Sequence, residues 1–177
     1  MNRILKILMV LLLSVPLLIS PAAAWTGPTH QNIVSKIYYS LPASVQHNLD
    51  LDEMKRGSIA PDLVFKDSIP YHNYPSAVGK AQSWLNKGKA AYKAKNYKYA
   101  SYCFGVASHY IVDPFSAPHC VTKEGSNHLV YEKQAENMNP SIKYVSGTVN
   151  SLLKNAYKNG QKDWKVWIKN KSSSVTR

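Results

Sequence analysis

The chain has 177 residues, of which 45% are hydrophobic, and a formal net charge of +12 at pH 7. This length predicts a single domain with a substantial core, and the chain shows no internal repeat, linker or second domain. The excess of Lys and Arg favours anionic partners such as lipid headgroups, nucleic acid or phosphate-containing polymers, although many exported proteins are basic without such a partner.

Residues 1–24 have the pattern of a secretory signal peptide. Arg3 and Lys6 precede an apolar run over residues 7–18, and small residues lead up to a cleavage site after Ala24. Cleavage there leaves a mature chain of 153 residues with a net charge of +10. We therefore expect a secreted, extracellular protein. Apart from this segment, no stretch is long enough to span a membrane.

The predicted mature N-terminus itself suggests a metal site. Its α-amino group would belong to Trp25 and lie five residues before His30. An α-amino group gives up its proton at modest cost, so the amine, the Trp25 carbonyl and the His30 imidazole can share one ion. The alternative is an ordinary processing site without a role in metal binding.

Apolar residues recur at three- and four-residue intervals along the mature chain, which predicts an all-α fold. The irregular segment 57–75 contains three prolines, and residues 172–177 are expected to form a frayed tail after a catalytic domain at 25–171. The predicted helices are 29–40, 43–51, 76–94, 96–113, 126–137, 141–159 and 162–170.

Two pairs of residues four positions apart combine an imidazole with a carboxylate. His109 and Asp113 form one pair, and His128 and Glu132 form the other. On a helix, residues four apart share a face, so each pair projects two ligands together. The two pairs predict two metal centres.

Three further candidates lie in predicted loops. His119 follows a proline in a short connection, and Asp62 and His72 lie in the irregular segment. Each of these residues alone is better explained as a hydrogen-bonded core or surface side chain, but the set together favours zinc, which prefers such nitrogen and carboxylate ligands. His47 fits no pair and is expected on the surface.

The order of these residue types resembles that of the zinc-dependent phospholipase C family and its relatives, the single-strand-specific zinc nucleases. The likeness covers the chain from the predicted mature N-terminus to the pair of His128 and Glu132. Residues 102–110 also share the family's pattern of aromatic residues and glycine. The matching positions are Trp25, His30, Asp62, His72, His109, Asp113, His119, His128 and Glu132.

The resemblance implies three zinc ions on an all-helical scaffold. It assigns the ligands to three sites: His72, His109 and Asp113; His119, His128 and Glu132; and Trp25, His30 and Asp113. Asp113 would bridge two of the ions. Asp62 would be a ligand of the first ion, as in the nucleases, or a general base beside the attacking water, as proposed for the phospholipases.

The implied chemistry is hydrolysis of a phosphodiester by a hydroxide held between zinc ions. The chain has no nucleophilic serine or cysteine motif and no glycine-rich phosphate loop, so direct attack by water is favoured. We expect a phospholipase C that releases diacylglycerol and a phosphorylated headgroup. The alternatives are a zinc nuclease or phosphomonoesterase, and a catalytically weak zinc-stabilised module that binds anionic surfaces.

The chain departs from the choline-preferring phospholipases where these bind the headgroup. Those enzymes have an acidic residue and two aromatic residues at the positions that here hold Pro28, Leu63 and Ile69. The choline pocket is therefore not reproduced unless neighbouring aromatic side chains replace it. The candidates for such substrate contacts are Phe65, Tyr71 and Tyr74.

Two cysteines bracket the predicted helix that carries the first ligand pair. In an exported protein, a disulfide between Cys103 and Cys120 would brace that helix, whereas a free thiol or an adventitious metal ligand at Cys120 is the alternative. The sequence leaves both open.

The C-terminal segment combines an apolar stripe with lysines. Trp164, Trp167 and Ile168 form the stripe. Such a helix can lie on an anionic bilayer, or it can dock on its own domain with the tryptophans in the core and the lysines in solvent.

Overall fold

A computed structural model describes residues 25–122, 127–136, 139, 142 and 144–171, so the predicted signal peptide and C-terminal tail lie outside the described residues. The described part of the chain contains helices and no strands, which confirms the predicted all-α class. The α-helices are α1 (Gly27–Ser40), α2 (Ala43–Gln46), α3 (Leu51–Ser58), α4 (Ser68–Tyr71), α5 (Ser76–Lys93), α6 (Tyr97–Val112), α7 (Asn127–Glu136) and α8 (Val149–Asn170).

Three short helical turns complete the fold. A π-helical turn spans Pro61–Phe65, and two 3₁₀ turns span Asp113–Phe115 and Ala117–Cys120. The predicted irregular segment 57–75 is therefore largely helical, with the last residues of α3, the π-helical turn and α4 in place of a continuous loop. The start of α3 is fixed by Asp50, whose side chain accepts a hydrogen bond from the backbone N–H of Glu53.

The prediction of two helices over residues 141–170 is wrong. A single helix, α8, begins after Thr148, which forms a reciprocal capping box with Ser151. Gly160 lies in the middle of α8 and does not end it. A Cβ there would lie 2.3 Å from Sγ of Cys120, so the glycine permits close packing of α8 on the second 3₁₀ turn.

Helices α5 and α6 form the predicted hairpin, joined at residues 94–96. Small side chains on α5, Ala77 and Ala81, share a core cluster with Val106 and Tyr110 of α6. Because α6 ends in the first ligand pair, this packing fixes the position of the candidate site.

Helix α3 crosses α6 at a contact between two glycines. A Cβ on Gly57 would lie 2.2 Å from the carbonyl oxygen of Tyr102, and a Cβ on Gly105 would lie 2.1 Å from that of Met54. Neither position can hold a larger side chain without moving a backbone. The close crossing brings the end of α3 against the part of α6 that carries His109.

The tryptophans of α8 lie in the core of their own domain. Trp164 and Trp167 are buried with Trp25 and Tyr131, and the Trp167 indole donates a 2.9 Å hydrogen bond to Gln134. The apolar stripe therefore docks on its own domain, while the lysines of α8 remain exposed. Among the described residues, no helix has the length and hydropathy needed to cross a membrane.

The two cysteines are free thiols in the structure, so the bridge considered from the sequence is not formed. Both are buried. Sγ of Cys120 lies 3.5 Å from the carbonyl oxygens of Pro114 and Ser116, and burial raises the pKa of this thiol to about 12. A protonated, enclosed thiol is a poor metal ligand, which argues against that role for Cys120.

Candidate metal centre

The C-terminal end of α6 presents the first ligand pair. Nε2 of His109 lies 3.1 Å from Oδ2 of Asp113, and both side chains are fully buried. On its other side, the His109 ring donates a 2.8 Å hydrogen bond from Nδ1 to the carbonyl oxygen of Ser58, because a carbonyl can only accept. This bond orients the ring so that Nε2 faces the carboxylate.

The segment between α3 and α5 adds Asp62 and His72 to this pair. Nε2 of His72 lies 3.4 Å from Oδ1 of Asp62, 3.4 Å from Oδ2 of Asp113 and 3.2 Å from Nε2 of His109. Residues that are far apart in the sequence thus meet at one point.

Helix α1 contributes His30 from the opposite side of Asp113. Nε2 of His30 lies 3.1 Å from Oδ1 of Asp113, and its ring stacks on that of His109 with centroids 4.1 Å apart. The two oxygens of Asp113 therefore face imidazoles from different elements. Trp25 is held nearby, because its indole donates a 3.2 Å hydrogen bond to the carbonyl oxygen of Val112.

The second pair lies on α7 and meets His119 from the second 3₁₀ turn. Oε1 of Glu132 is 2.7 Å from Nε2 of His128 and 3.2 Å from Nε2 of His119. The rings of His119 and His72 have centroids 5.7 Å apart, so the two parts of the site adjoin.

The side chains form three groups, each with its ligand atoms within 4.8 Å of one another. The groups are His30, His109 and Asp113; Asp62, His72 and His109; and His119, His128 and Glu132. Several of their buried atoms, including Nε2 of His30, both oxygens of Asp113 and Oε2 of Glu132, make no hydrogen bond in the structure. Such atoms are costly to bury unless a cation binds them, and the mixture of nitrogen and oxygen donors suits zinc.

The electrostatics of the cluster also favour a cation. Burial lowers the pKa of His30 and lowers that of His72 to about 3, so both imidazoles are neutral near pH 7. Burial would raise the pKa of Asp113, but the neighbouring imidazoles, His109 foremost, hold it well below its usual range. Neutral imidazoles beside an ionised carboxylate are the protonation states that metal binding requires.

His109 differs from the other two imidazoles. Burial would lower its pKa, but Asp113, with a smaller contribution from Asp62, raises it above the ordinary value. A proton on this ring occupies the place where a metal ion would bind. Zinc binding therefore competes with protonation of His109.

The aromatic residues predicted to contact substrate have intramolecular partners and lie outside the three groups. The Phe65 ring stacks on Trp84 with centroids 5.5 Å apart, and Nζ of Lys80 lies 4.2 Å above the Tyr71 ring. The Tyr74 ring is 5.7 Å from that of Tyr157. His47 is exposed at the end of α2, as predicted.

A supporting network that the sequence did not indicate surrounds Asp67. Its carboxylate accepts a 2.8 Å hydrogen bond from the Tyr110 hydroxyl and lies 2.7 Å from Nζ of Lys80. Because Tyr110 follows His109, helix α6 both presents a candidate ligand and fixes the segment that carries Asp62. No sequence pattern could identify these partners, since 43 residues separate Tyr110 from Asp67.

Comparison with known proteins agrees with the geometry. A model of the zinc-dependent phospholipase C family matches residues 29–176, a range that begins just before His30 and leaves Trp25 outside. Neither the curated proteins nor the solved structures include a match. The chain belongs to the zinc-dependent phospholipase C family.

Proposed function

We propose that this protein is an exported zinc-dependent phospholipase C that hydrolyses phospholipids to diacylglycerol and a phosphorylated headgroup. The observation that carries the proposal is the environment of Asp113, whose two buried oxygens each lie 3.1 Å from a different imidazole, that of His30 or His109. A carboxylate in this position can bridge two metal ions, and paired ions suit phosphodiester hydrolysis.

Three zinc ions are proposed, with each candidate ligand assigned to one ion or shared. The domain that holds them would span residues 25–171 after removal of the signal peptide at 1–24, which is why we propose secretion. The proposed ligand sets follow the family resemblance: His72, His109 and Asp113, with or without Asp62; Trp25, His30 and Asp113; and His119, His128 and Glu132, the last of which is also one of the three groups in the structure.

Two residues of the chain have further roles in the proposed reaction. The ions would supply charge neutralisation and activation of water. Asp62 is the most exposed of the candidate ligands, with 13% of its side chain accessible, so it is best placed to accept a proton from the attacking water. Ser58 orients the His109 ring, and no separate acid is needed for the leaving alkoxide when a cation neutralises it.

Phosphorus-31 NMR of the mature, zinc-loaded protein tests this proposal. The sample contains vesicles of mixed zwitterionic and anionic phospholipids together with a single-stranded oligonucleotide, each measured with and without a chelator. Phosphomonoester headgroups that form only without the chelator are the expected result, and they also identify the preferred lipid.

Two other outcomes would replace the proposal. Release of nucleotides with intact lipid would establish a zinc nuclease. Release of inorganic phosphate from a terminal 5′-phosphate on the oligonucleotide, with both kinds of diester intact, would establish a phosphomonoesterase. Zinc binding without any turnover would favour a zinc-stabilised module that binds anionic surfaces. A His47→Gln variant, altered at an exposed histidine outside the site, serves as the matched control for substitutions of the candidate ligands.

A further inference from the structure

The π-helical turn that contains Asp62 holds two consecutive apolar side chains in solvent. Leu63 and Val64 are 65% and 68% exposed. A single exposed apolar residue is common on protein surfaces, but adjacent ones beside a candidate site are typical of a surface that contacts a partner.

The turn is fixed in place by contacts of the residues that follow the apolar pair. The Phe65 ring stacks on Trp84 with an interplanar angle of 8°. Two residues further on, Asp67 is held by the Tyr110 hydroxyl at 2.8 Å and the Lys80 ammonium at 2.7 Å. The turn therefore holds Leu63 and Val64 in solvent in a fixed conformation. It does not have to become ordered when a partner binds.

The exposed pair directly follows a candidate ligand of the metal centre in the chain. Asp62, the most exposed candidate ligand, directly precedes Leu63. Other exposed apolar residues also follow candidate ligands closely: Phe115 comes two residues after Asp113, and Leu129 follows His128.

The charged residues closest to the pair in the chain are Asp62, a candidate metal ligand, and Lys66. Lys66 is exposed in a left-handed conformation at the end of the turn, with a φ of 52°. The next residue, Asp67, is acidic, but its carboxylate is paired with Lys80. Aliphatic side chains next to a lysine suit a phospholipid surface, which offers an apolar interior beneath anionic phosphates. Single-stranded nucleic acid would favour exposed aromatic rings for stacking, which Leu63 and Val64 do not provide.

We propose that residues 63–66 form a lipid-contact tip: Leu63 and Val64 enter the boundary between headgroups and acyl chains of a phospholipid surface, and Lys66 contacts lipid phosphates. The inference rests on the proposed function, to which it adds the part of the chain that meets the substrate surface. Adsorption through the tip places Asp62 next to the headgroup layer.

Vesicle pelleting with the zinc-free protein tests the tip without turnover. The vesicles contain phosphatidylcholine with a minor fraction of phosphatidylglycerol. A Leu63→Ser/Val64→Ser double variant should bind about tenfold more weakly or worse, because several buried methylene equivalents are lost. The loss should persist in 1 M salt, which screens lysines but not apolar contacts. The control is Val166→Ser, at an exposed valine of α8, which should bind as the native chain does.

The zinc-loaded protein gives a second readout, namely the ratio of the hydrolysis rate on vesicles to that on a short-chain phospholipid below its micelle concentration. The double variant should lower this ratio about tenfold, in line with its weaker adsorption. Equal pelleting of the double variant and the native chain would overturn the tip, as would an equal loss in the Val166 control. If the native chain hydrolyses neither lipid form, the proposed function fails, while the pelleting comparison still decides the tip.

Discussion

The carbonyl oxygen of Ser58 accepts a 2.8 Å hydrogen bond from Nδ1 of His109, across the crossing of α3 and α6. The bond exists because Gly57 and Gly105 let the two backbones approach without Cβ atoms between them. The orientation of a candidate ligand thus depends on two residues that have no functional side chain.

Replacing Gly57 should therefore affect both stability and metal binding. The Cβ in Gly57→Ala would lie 2.2 Å from the Tyr102 carbonyl oxygen, so α3 must move away from α6. We expect a loss of about 1–3 kcal/mol in the free energy of unfolding and a zinc affinity lower by roughly 10–100-fold. Denaturant unfolding and competition with a zinc indicator measure the two effects.

Gly79→Ala is the matched control, because a Cβ at this exposed position of α5 meets nothing within 4 Å. It should leave zinc affinity unchanged and raise stability by up to about 1 kcal/mol through helix propensity. Native-like zinc affinity in Gly57→Ala would contradict the role given to the helix crossing.

The shared position of Asp113 predicts a loss of more than one ion from a single substitution. Asp113→Asn keeps the shape of the side chain but removes the charge that faces His30 and His109. Elemental analysis should find the zinc of the His119 group retained and the other two ions weakened together. Asp52→Asn, at an exposed carboxylate of α3, should keep all three. Full zinc content and activity in Asp113→Asn would rule out a bridging role.

Acid should destabilise the zinc-free protein through His72. The pKa of this imidazole is lowered to about 3, mainly by burial, whereas an unfolded chain takes up the same proton near 6.5. Between these values the unfolded state binds more protons, so the free energy of unfolding falls as the pH is lowered from about 6.5 towards 3.

In His72→Gln, the free energy of unfolding should depend less steeply on pH over this interval than it does in the native chain. Melting temperatures of both zinc-free proteins, measured from pH 7 to pH 4, provide the comparison. Parallel curves would show that His72 is not buried in its neutral form.

The N-terminal site depends on where the mature chain begins. The Trp25 side chain is anchored to Val112, the residue before Asp113, so its backbone has little freedom to shift. One extra residue before Trp25 converts a metal-binding amine into an amide, which is a poor ligand. The zinc content should then fall towards two ions, whereas a residue added at the C-terminus should leave three. Three tightly bound ions in the extended chain would exclude the amine as a ligand.

The proximity of the two imidazole and carboxylate pairs was predictable because their signal is local. The four-residue intervals of His109 with Asp113 and of His128 with Glu132 need only helical geometry to bring the side chains together. The all-α class follows from the same periodicity. The order of the remaining ligands came from the family resemblance, since no local rule connects His30 with Asp113.

The structural features that the sequence did not predict depend on tertiary contacts. A break was predicted between residues 159 and 162, but α8 is continuous there. Gly160, within α8, packs against Cys120. The exposure of Leu63 and Val64 and the anchoring of Asp67 arise from partners distant in the sequence. Hydrophobic periodicity carries no information about such pairings.

Anomalous diffraction at the zinc absorption edge, from crystals of the mature chain, is the most direct test of the account. We predict three zinc peaks, with the Asp113 carboxylate between two of them and the third among His119, His128 and Glu132. A single peak, or peaks away from Asp113, in a protein that hydrolyses phospholipid would contradict the account.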